Sequence, residues 1–383
     1  MRILFLNSNS AVASYNDVCQ RMAEAMRKKG HETVIIGVQM ITDRFDAKPI
    51  QHGNQLLVFK RGGLINLGEG RKTRMLRLRE YEGGGHFDRI YMPQLFVSSA
   101  VEMFAQDWVE VADKAYFMAD LEGTTAGWTS RHVEMSKKFQ VYASSEFSRE
   151  NITNLGVNVS GVFERFINLD YFKNIDQKEV QRFKNEYGEF VLAWCGMEQI
   201  SHPRKGLDEI NEAYWIAERE GKIERMPKCL VVTNIPKEKV EQKIHAKLHP
   251  KLILREWFGR LQKSVQSALY ASAIYFIASS HSEGFGLLPL EANASGTPCV
   301  YVDSRAQNEH TVGYKVPVTH TMWVETRWDL IYKYFMYDPR DLMEGILYAW
   351  ENRNTDEYKE LKHKAIELAN CYGLENYNRL DEL

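Results

Sequence analysis

Short apolar runs alternate with amphipathic stretches along this chain. Ile3-Leu4-Phe5-Leu6 is apolar at every position, the pattern of a strand buried on both faces of a parallel sheet. Apolar residues then recur at Val18, Met22, Ala25 and Met26, a helical spacing that stops at Gly30. Thr33-Val34-Ile35-Ile36 resumes the strand pattern. This strand–helix–strand unit predicts the start of a doubly wound sheet. Leu56-Leu57-Val58-Phe59, Arg89-Ile90-Tyr91-Met92, Ala115-Tyr116-Phe117-Met118 and Gln140-Val141-Tyr142-Ala143 are its further predicted strands.

A second series opens with Phe190-Val191-Leu192-Ala193-Trp194. It continues with Cys229-Leu230-Val231-Val232, Leu252-Ile253-Leu254, Ile274-Tyr275-Phe276-Ile277 and Cys299-Val300-Tyr301-Val302. Helices are predicted between them over 206–220, 262–272 and 288–295. The polar, charged stretch 168–189 separates the two series. The pattern predicts an α/β protein of two doubly wound, Rossmann-like domains, 1–172 and 173–365, with helical sequence following. Two such domains in tandem leave a cleft between the carboxyl ends of their sheets, where open α/β folds bind ligands.

Composition narrows the function classes. The 383 residues allow two cores without metal or disulfide support. Lys+Arg of 49 against Asp+Glu of 51 gives a net charge of -2, so a nucleic-acid partner would find no global basic field. The five cysteines are scattered and contain no CxxC pair, which points to a reducing compartment and away from zinc. No apolar run approaches the roughly 18 residues of a membrane span, and MRILFL reads as a strand rather than a leader. A cytoplasmic protein is the resulting expectation.

The chemistry concentrates in residues 281–291, HSEGFGLLPLE. Pro289 suits the first turn of a helix, which places Glu283 in the loop before it, at the carboxyl edge of the sheet. Gly284 and Gly286 let backbone approach a ligand, and the free N–H groups of Leu287 and Leu288 form an anion site aided by the helix dipole. A retaining glycosidase would need its two carboxyls about 5–5.5 Å apart across one bond. Here Glu283 and Glu291 are separated by a loop and a helical turn, with the anion site between them. That layout suits a nucleotide-sugar diphosphate better, one glutamate accepting from sugar hydroxyls and the other from ribose. A first-turn charge stabilising its own helix accounts for Glu291 almost as well.

The run Glu283 to Val300, EGFGLLPLEANASGTPCV, resembles the signature of glycosyltransferase family 4, retaining nucleotide-sugar transferases of GT-B fold. The family's E-x7-E pattern falls on Glu283 and Glu291. Ala193-Trp194-Cys195-Gly196 with Arg204-Lys205-Gly206-Leu207 resembles its "GR…KG" segment, and Ser145-Glu146-Phe147 its "SEF" segment. The resemblance implies that the first domain takes the acceptor and the second the donor, with residues 366–383 crossing back as a helix. It assigns Glu283 to the transferred sugar, Glu291 to the ribose and Lys205 to the diphosphate. Backbone N–H groups of Phe285, Gly286, Leu287 and Leu288 assist. It also implies front-side attack, with the leaving phosphate taking the acceptor proton. The only co-substrate is then a nucleotide-diphosphate sugar, with no metal and no other cofactor. The acceptor is a hydroxyl of a glycan, a lipid-linked glycan or another molecule.

Three departures bear on this expectation. Met197 stands where the family has arginine, and Arg204 is the candidate second cation for the phosphate. Ala119 stands where many members carry a histidine, and Asp120 is the candidate replacement, with His132 nearby. Asn9 and Ser10 replace a glycine pair in the first loop; they can bind an anion at a helix N-terminus or simply cap the helix. Ala119 and Met197 support an alternative, an inactive GT-B scaffold that binds nucleotide or glycan. Residues 60–79, KRGGLINLGEGRKTRMLRLR, carry seven basic side chains interleaved with apolar ones. They form either a solvated face or a peripheral contact with anionic membrane. Salt-sensitive binding to anionic liposomes is the outcome expected of the second; binding that is absent from anionic vesicles rejects it.

Overall fold

The computed structural model describes residues 1–8, 14–38, 50–52, 55–60, 63–66, 74–76, 86–196, 204–326 and 329–383. They divide into two compact units. The first holds Met1–Phe166, Trp328–Ile331 and Leu374–Leu383; the second holds Ile167–Arg327 and Tyr332–Gly373. Asn9, Ser10 and Met197 lie outside the described residues.

In the first unit, strand Arg2–Ser8 lies between Glu32–Val38 and Phe87–Leu95, parallel to both. Ala112–Asp120, Gln140–Ala143 and Val159–Val162 extend the sheet on one side, and Gln55–Lys60 follows Glu32–Val38 on the other. Counting these strands along the chain, the order is 3-2-1-4-5-6-7, a doubly wound arrangement. Ile3, Leu4, Phe5 and Leu6 are fully buried because helices cover both faces of such a sheet. Helix Ser14–Lys28 turns Val18, Cys19, Met22 and Met26 inward, and the chain reverses at Gly30, whose φ is 85°. Within the stretch 60–79, residues Gly63–Asn66 and Arg74–Leu76 are antiparallel strands.

The crossing segment also differs from the expected helix. Helix Asp356–Asn370 belongs to the second unit, and a short 3-10 segment, Leu374–Glu382, belongs to the first. There Arg89 and Tyr91 donate to the carbonyl of Leu380, and the Tyr377 hydroxyl accepts from the Phe166 N–H.

The expected role of Asp120 is not what its surroundings offer. Its carboxylate lies at the end of strand Ala112–Asp120 and is buried. Oδ2 takes the Arg165 guanidinium at 2.9 Å, and Oδ1 accepts from the Ser144 hydroxyl. Arg165 is only 2% exposed and also donates to the carbonyl of Met118. Oδ2 thus serves an internal ion pair and Oδ1 a buried hydroxyl. His132 is no replacement either: its Nδ1 meets the Thr129 hydroxyl at 2.9 Å in a helix-capping box, and its ring stacks on Trp128. Removing one member of a buried pair leaves an uncompensated charge. Asp120→Ala is therefore expected to lower stability by about 3–5 kcal/mol, measured by denaturant unfolding. A loss below about 1 kcal/mol would show that the pair is not structural.

The second unit holds six parallel strands in the order Leu252–Arg255, Lys228–Val232, Phe190–Trp194, Phe276–Ala278, Cys299–Val302 and Gly313–Val316. By position in the chain this is 3-2-1-4-5-6, the Rossmann order. Its switch point lies between Phe190–Trp194 and Phe276–Ala278, paired through Leu192 with Phe276 and Ala193 with Ile277. Loops leaving the carboxyl ends of these two strands are where such a sheet binds ligand.

Candidate functional site

Two loops meet at this switch point. One ends in Arg204-Lys205-Gly206 and feeds helix Leu207–Arg219; the other runs from Ser279 to Gly286 and feeds helix Leu287–Ala294. Gly206 has a φ of 67°, and a Cβ there would lie 2.2 Å from the carbonyl oxygen of Ser279. This close approach lets the loops bond directly. The His281 N–H donates to the carbonyl of Arg204 at 2.9 Å, and the Ser279 hydroxyl to that of Lys205 at 2.7 Å. Tyr337 donates its hydroxyl to the carbonyl of Ser279.

The result brings Glu283 and Lys205 together. Lys205 Nζ lies 2.5 Å from Glu283 Oε1, and Arg204 Nη1 lies 3.7 Å from Oε2. Burial raises the Glu283 carboxyl, but Lys205 and then Arg204 outweigh it and hold the group down to about 2. The pair keeps some access: the Glu283 side chain is 16% exposed and that of Lys205 12%. Arg204 is more committed. It donates to the carbonyl of Ser282 at 2.7 Å and lies over the Tyr332 ring at 5.2 Å, so it braces the loop of Glu283.

Beside this pair, Gly286 caps its helix with a φ of 97°, a conformation that a side chain would strain. Pro289 has no N–H, so the first free donors of the helix are those of Leu287 and Leu288. Phe285 stacks flat on His310 at 4.1 Å, and His310 Nε2 donates to the carbonyl of Gly286 at 3.0 Å. Burial lowers His310 to about 4, which keeps the ring neutral and gives it a single N–H for that bond. Gly284 occupies the turn between Glu283 and this stacked ring.

Glu291 is the fifth residue of the helix, one position further in than the predicted start at 288 would place it, and is 2% exposed. Its Oε2 accepts from Gln266 at 2.7 Å and its Oε1 lies 3.4 Å from Lys263 Nζ, both on helix Lys263–Ser272. Neither Gln266 nor Lys263 was expected from the sequence; their spacing of three on a helix was the available signal.

Also missed was a cluster behind the two loops. Asp208 and Glu209 stand in the first turn of helix Leu207–Arg219, and their carboxyls meet His281, with ligand-type atoms within 4.8 Å of one another. His281 Nε2 lies 2.8 Å from Glu209 Oε1. Burial, then the neighbouring Glu209, pushes Asp208 up to about 9. Glu209 is lowered despite its burial, by His281 and by Asp208. The two carboxyls titrate as a pair, with the proton favoured on Asp208.

Residues 189–326 match the family described as Glycosyl transferases group 1. Candidate glycosyltransferase 41 of Sulfolobus islandicus filamentous virus is 31% identical over 120 residues, 30% of this chain and 34% of that protein. Candidate glycosyltransferase ORF330 of Acidianus filamentous virus 2 is 32% identical over 104 residues, 27% of this chain and 29% of that protein. The chain thus spans about a third of the length of these relatives. Among solved structures, sucrose-phosphate synthase from Thermosynechococcus elongatus superposes with a TM-score of 0.65 at 13% identity, covering 100% of this chain and 98% of that one. Anabaena HepE, solved with UDP and glucose, gives 0.65 at 14% identity, again over 100% and 98%. The protein therefore has the GT-B fold, and the stretch resembling group 1 glycosyl transferases lies within its second unit.

The proton on Asp208 has a measurable consequence. Its folded pKa of about 9 lies above the ordinary 3.8, so between these values the folded state keeps a proton that the unfolded chain loses. Stability then falls as pH rises across that window. Asp208→Asn keeps the donor and abolishes the titration. It is expected to raise the melting temperature by several degrees at pH 8, roughly 2–4 °C per kcal/mol, and by much less at pH 5. Equal shifts at both pH values would rule out the proton on Asp208.

Proposed function

We propose that the protein is a retaining glycosyltransferase that moves a hexose from a nucleotide-diphosphate sugar to a hydroxyl acceptor. The observation that carries this reading is the Lys205–Glu283 pair at the switch point, beside a helix N-terminus capped by glycine. A carboxylate, a cation and free N–H groups converge there, the set that a sugar joined to a diphosphate requires. The relatives' names and the sugar-nucleotide complexes of fold neighbours support it; the Escherichia coli trehalose-6-phosphate protein was solved with UDP-2-fluoro glucose.

In this reading the diphosphate lies on the N–H groups of Leu287 and Leu288 and on Lys205. Glu283, ionised throughout the neutral range, accepts from sugar hydroxyls. The bond from the anomeric carbon to the diphosphate oxygen breaks, and the acceptor oxygen attacks from the same face. The acceptor proton passes to the departing phosphate oxygen. Positive charge from Lys205 and the helix dipole meets the negative charge that develops on the leaving group, where electrostatic stabilisation has most effect. Arg204 acts through Ser282, holding Glu283 in place. Glu291, with Lys263 and Gln266, supplies the polar end that takes the ribose. The site uses no metal and no further cofactor.

A thermal-shift screen of UDP-, GDP- and ADP-sugars tests the donor class. A ligand at 100 times its Kd stabilises by about 2.7 kcal/mol. Lys205→Ala and Glu283→Gln are each expected to cut donor turnover by about 10²–10³-fold. Wild type that neither binds nor turns over any of these donors sinks the reading; wild type that binds one and never turns it over favours an inactive scaffold.

A further inference from the structure

The reading above leaves Glu209 and His281 without a part, yet both are built into the loops of the site. His281 is 3% exposed and lies between the rings of Tyr334, at 5.3 Å, and Tyr337, at 5.1 Å. Its Nε2 meets Glu209 Oε1 at 2.8 Å and its Nδ1 faces the carbonyl of Phe335 at 3.3 Å. Both ring nitrogens thus face an oxygen atom of a neighbouring residue. Its backbone is fixed as well: its N–H donates to the carbonyl of Arg204, and its carbonyl accepts from the Phe335 N–H.

The positions of the two residues matter. His281 stands two places before Glu283, and Glu209 four places after Lys205. The link between them spans the switch point behind the Lys205–Glu283 pair. A buried hydrogen-bonded pair resists displacement, since moving either partner leaves the other unsatisfied. Asp208, protonated against Glu209, removes the competing negative charge from the same pocket. Cys195 and Tyr337 are the further groups that feel these carboxyls.

We propose that the Glu209–His281 pair is a positioning device that sets the distance between the carboxylate of Glu283 and the ammonium of Lys205. It acts on transfer more than on nucleotide affinity. The proposal rests on the reading in which Glu283 holds the transferred sugar. Neither residue touches substrate; both act through the loops that carry the residues that do. A misplacement of about 1 Å costs on the order of 100-fold in rate.

The test compares wild type with Glu209→Gln, His281→Gln and the double variant. Three quantities are measured: kcat and KM for the active nucleotide sugar, affinity for free UDP, GDP and ADP, and melting temperature. The expected result is a kcat reduced about 10- to 100-fold in each variant. Affinity for the bound nucleoside diphosphate, which in this reading rests on the helix N–H groups as well as on Lys205, should fall clearly less than kcat. The double variant should be no worse than the weaker single, because one pair is broken only once. Variants with wild-type kcat overturn the proposal, and so do variants whose kcat and nucleotide affinity fall together with stability. Should His281→Gln fail to fold, Glu209→Gln, which keeps size and shape, decides the matter alone. Wild type inactive on every donor defeats the transferase reading itself, and the device falls with it; an active wild type with unaffected variants defeats only the device.

Discussion

The loops carrying Lys205 and Glu283 can meet only because residue 206 has no side chain. A Cβ there would lie 2.2 Å from the Ser279 carbonyl oxygen and 2.5 Å from the Tyr337 hydroxyl, closer than atoms can approach. The bonds of His281 and Ser279 to the neighbouring loop depend on that proximity, as does the ion pair above them. A parallel sheet delivers two strand ends side by side at its switch point, but it does not weld the loops that leave them. Here one glycine in the left-handed region allows the weld, and the chemistry of the site is laid over it.

Charge in this protein is placed by pairing rather than by exposure. Asp120 has Arg165 and Ser144, Glu291 has Gln266 and Lys263, and Glu209 has His281 with a protonated Asp208 beside it. Each arrangement lets a carboxyl survive in an interior that would otherwise neutralise it. Lys205 and Glu283 follow the same rule with one difference, since both keep a fraction of their surface open. That exposure of both partners sets the Lys205–Glu283 pair apart from the internal pairs of Asp120 and Glu209.

Much of the architecture was legible in the sequence because strands of parallel sheets are uniformly apolar. Phe190–Trp194 and Cys299–Val302 fall where unbroken apolar runs placed them. The helix beginning at Leu287 was legible through its glycine, its proline and its following SGTP. Side-chain pairing was not legible, because it joins residues distant in the chain. Arg165 reaches Asp120 across 45 positions, and Lys263 reaches Glu291 across 28. No local pattern distinguishes an aspartate at a strand end that faces a ligand from one that faces a buried arginine. The partners of Asp120 were therefore set by tertiary contact, not by propensity. Lys205 and Glu283 were within reach because each sat in a segment whose backbone could be inferred.

The ion pair between Lys205 and Glu283 also makes the resting site a lock that needs two keys. Each residue is the other's counter-ion, so a molecule that captures the ammonium alone leaves a half-buried carboxylate stranded. One that captures the carboxylate alone leaves a stranded ammonium. Free phosphate offers only the first key and an uncharged sugar only the second. A ligand that presents an anion and hydroxyls together, a fixed distance apart, can open the pair without leaving either half unanswered. Discrimination against fragments of such a ligand is thus already present in the closed pair, before any pocket shape is considered.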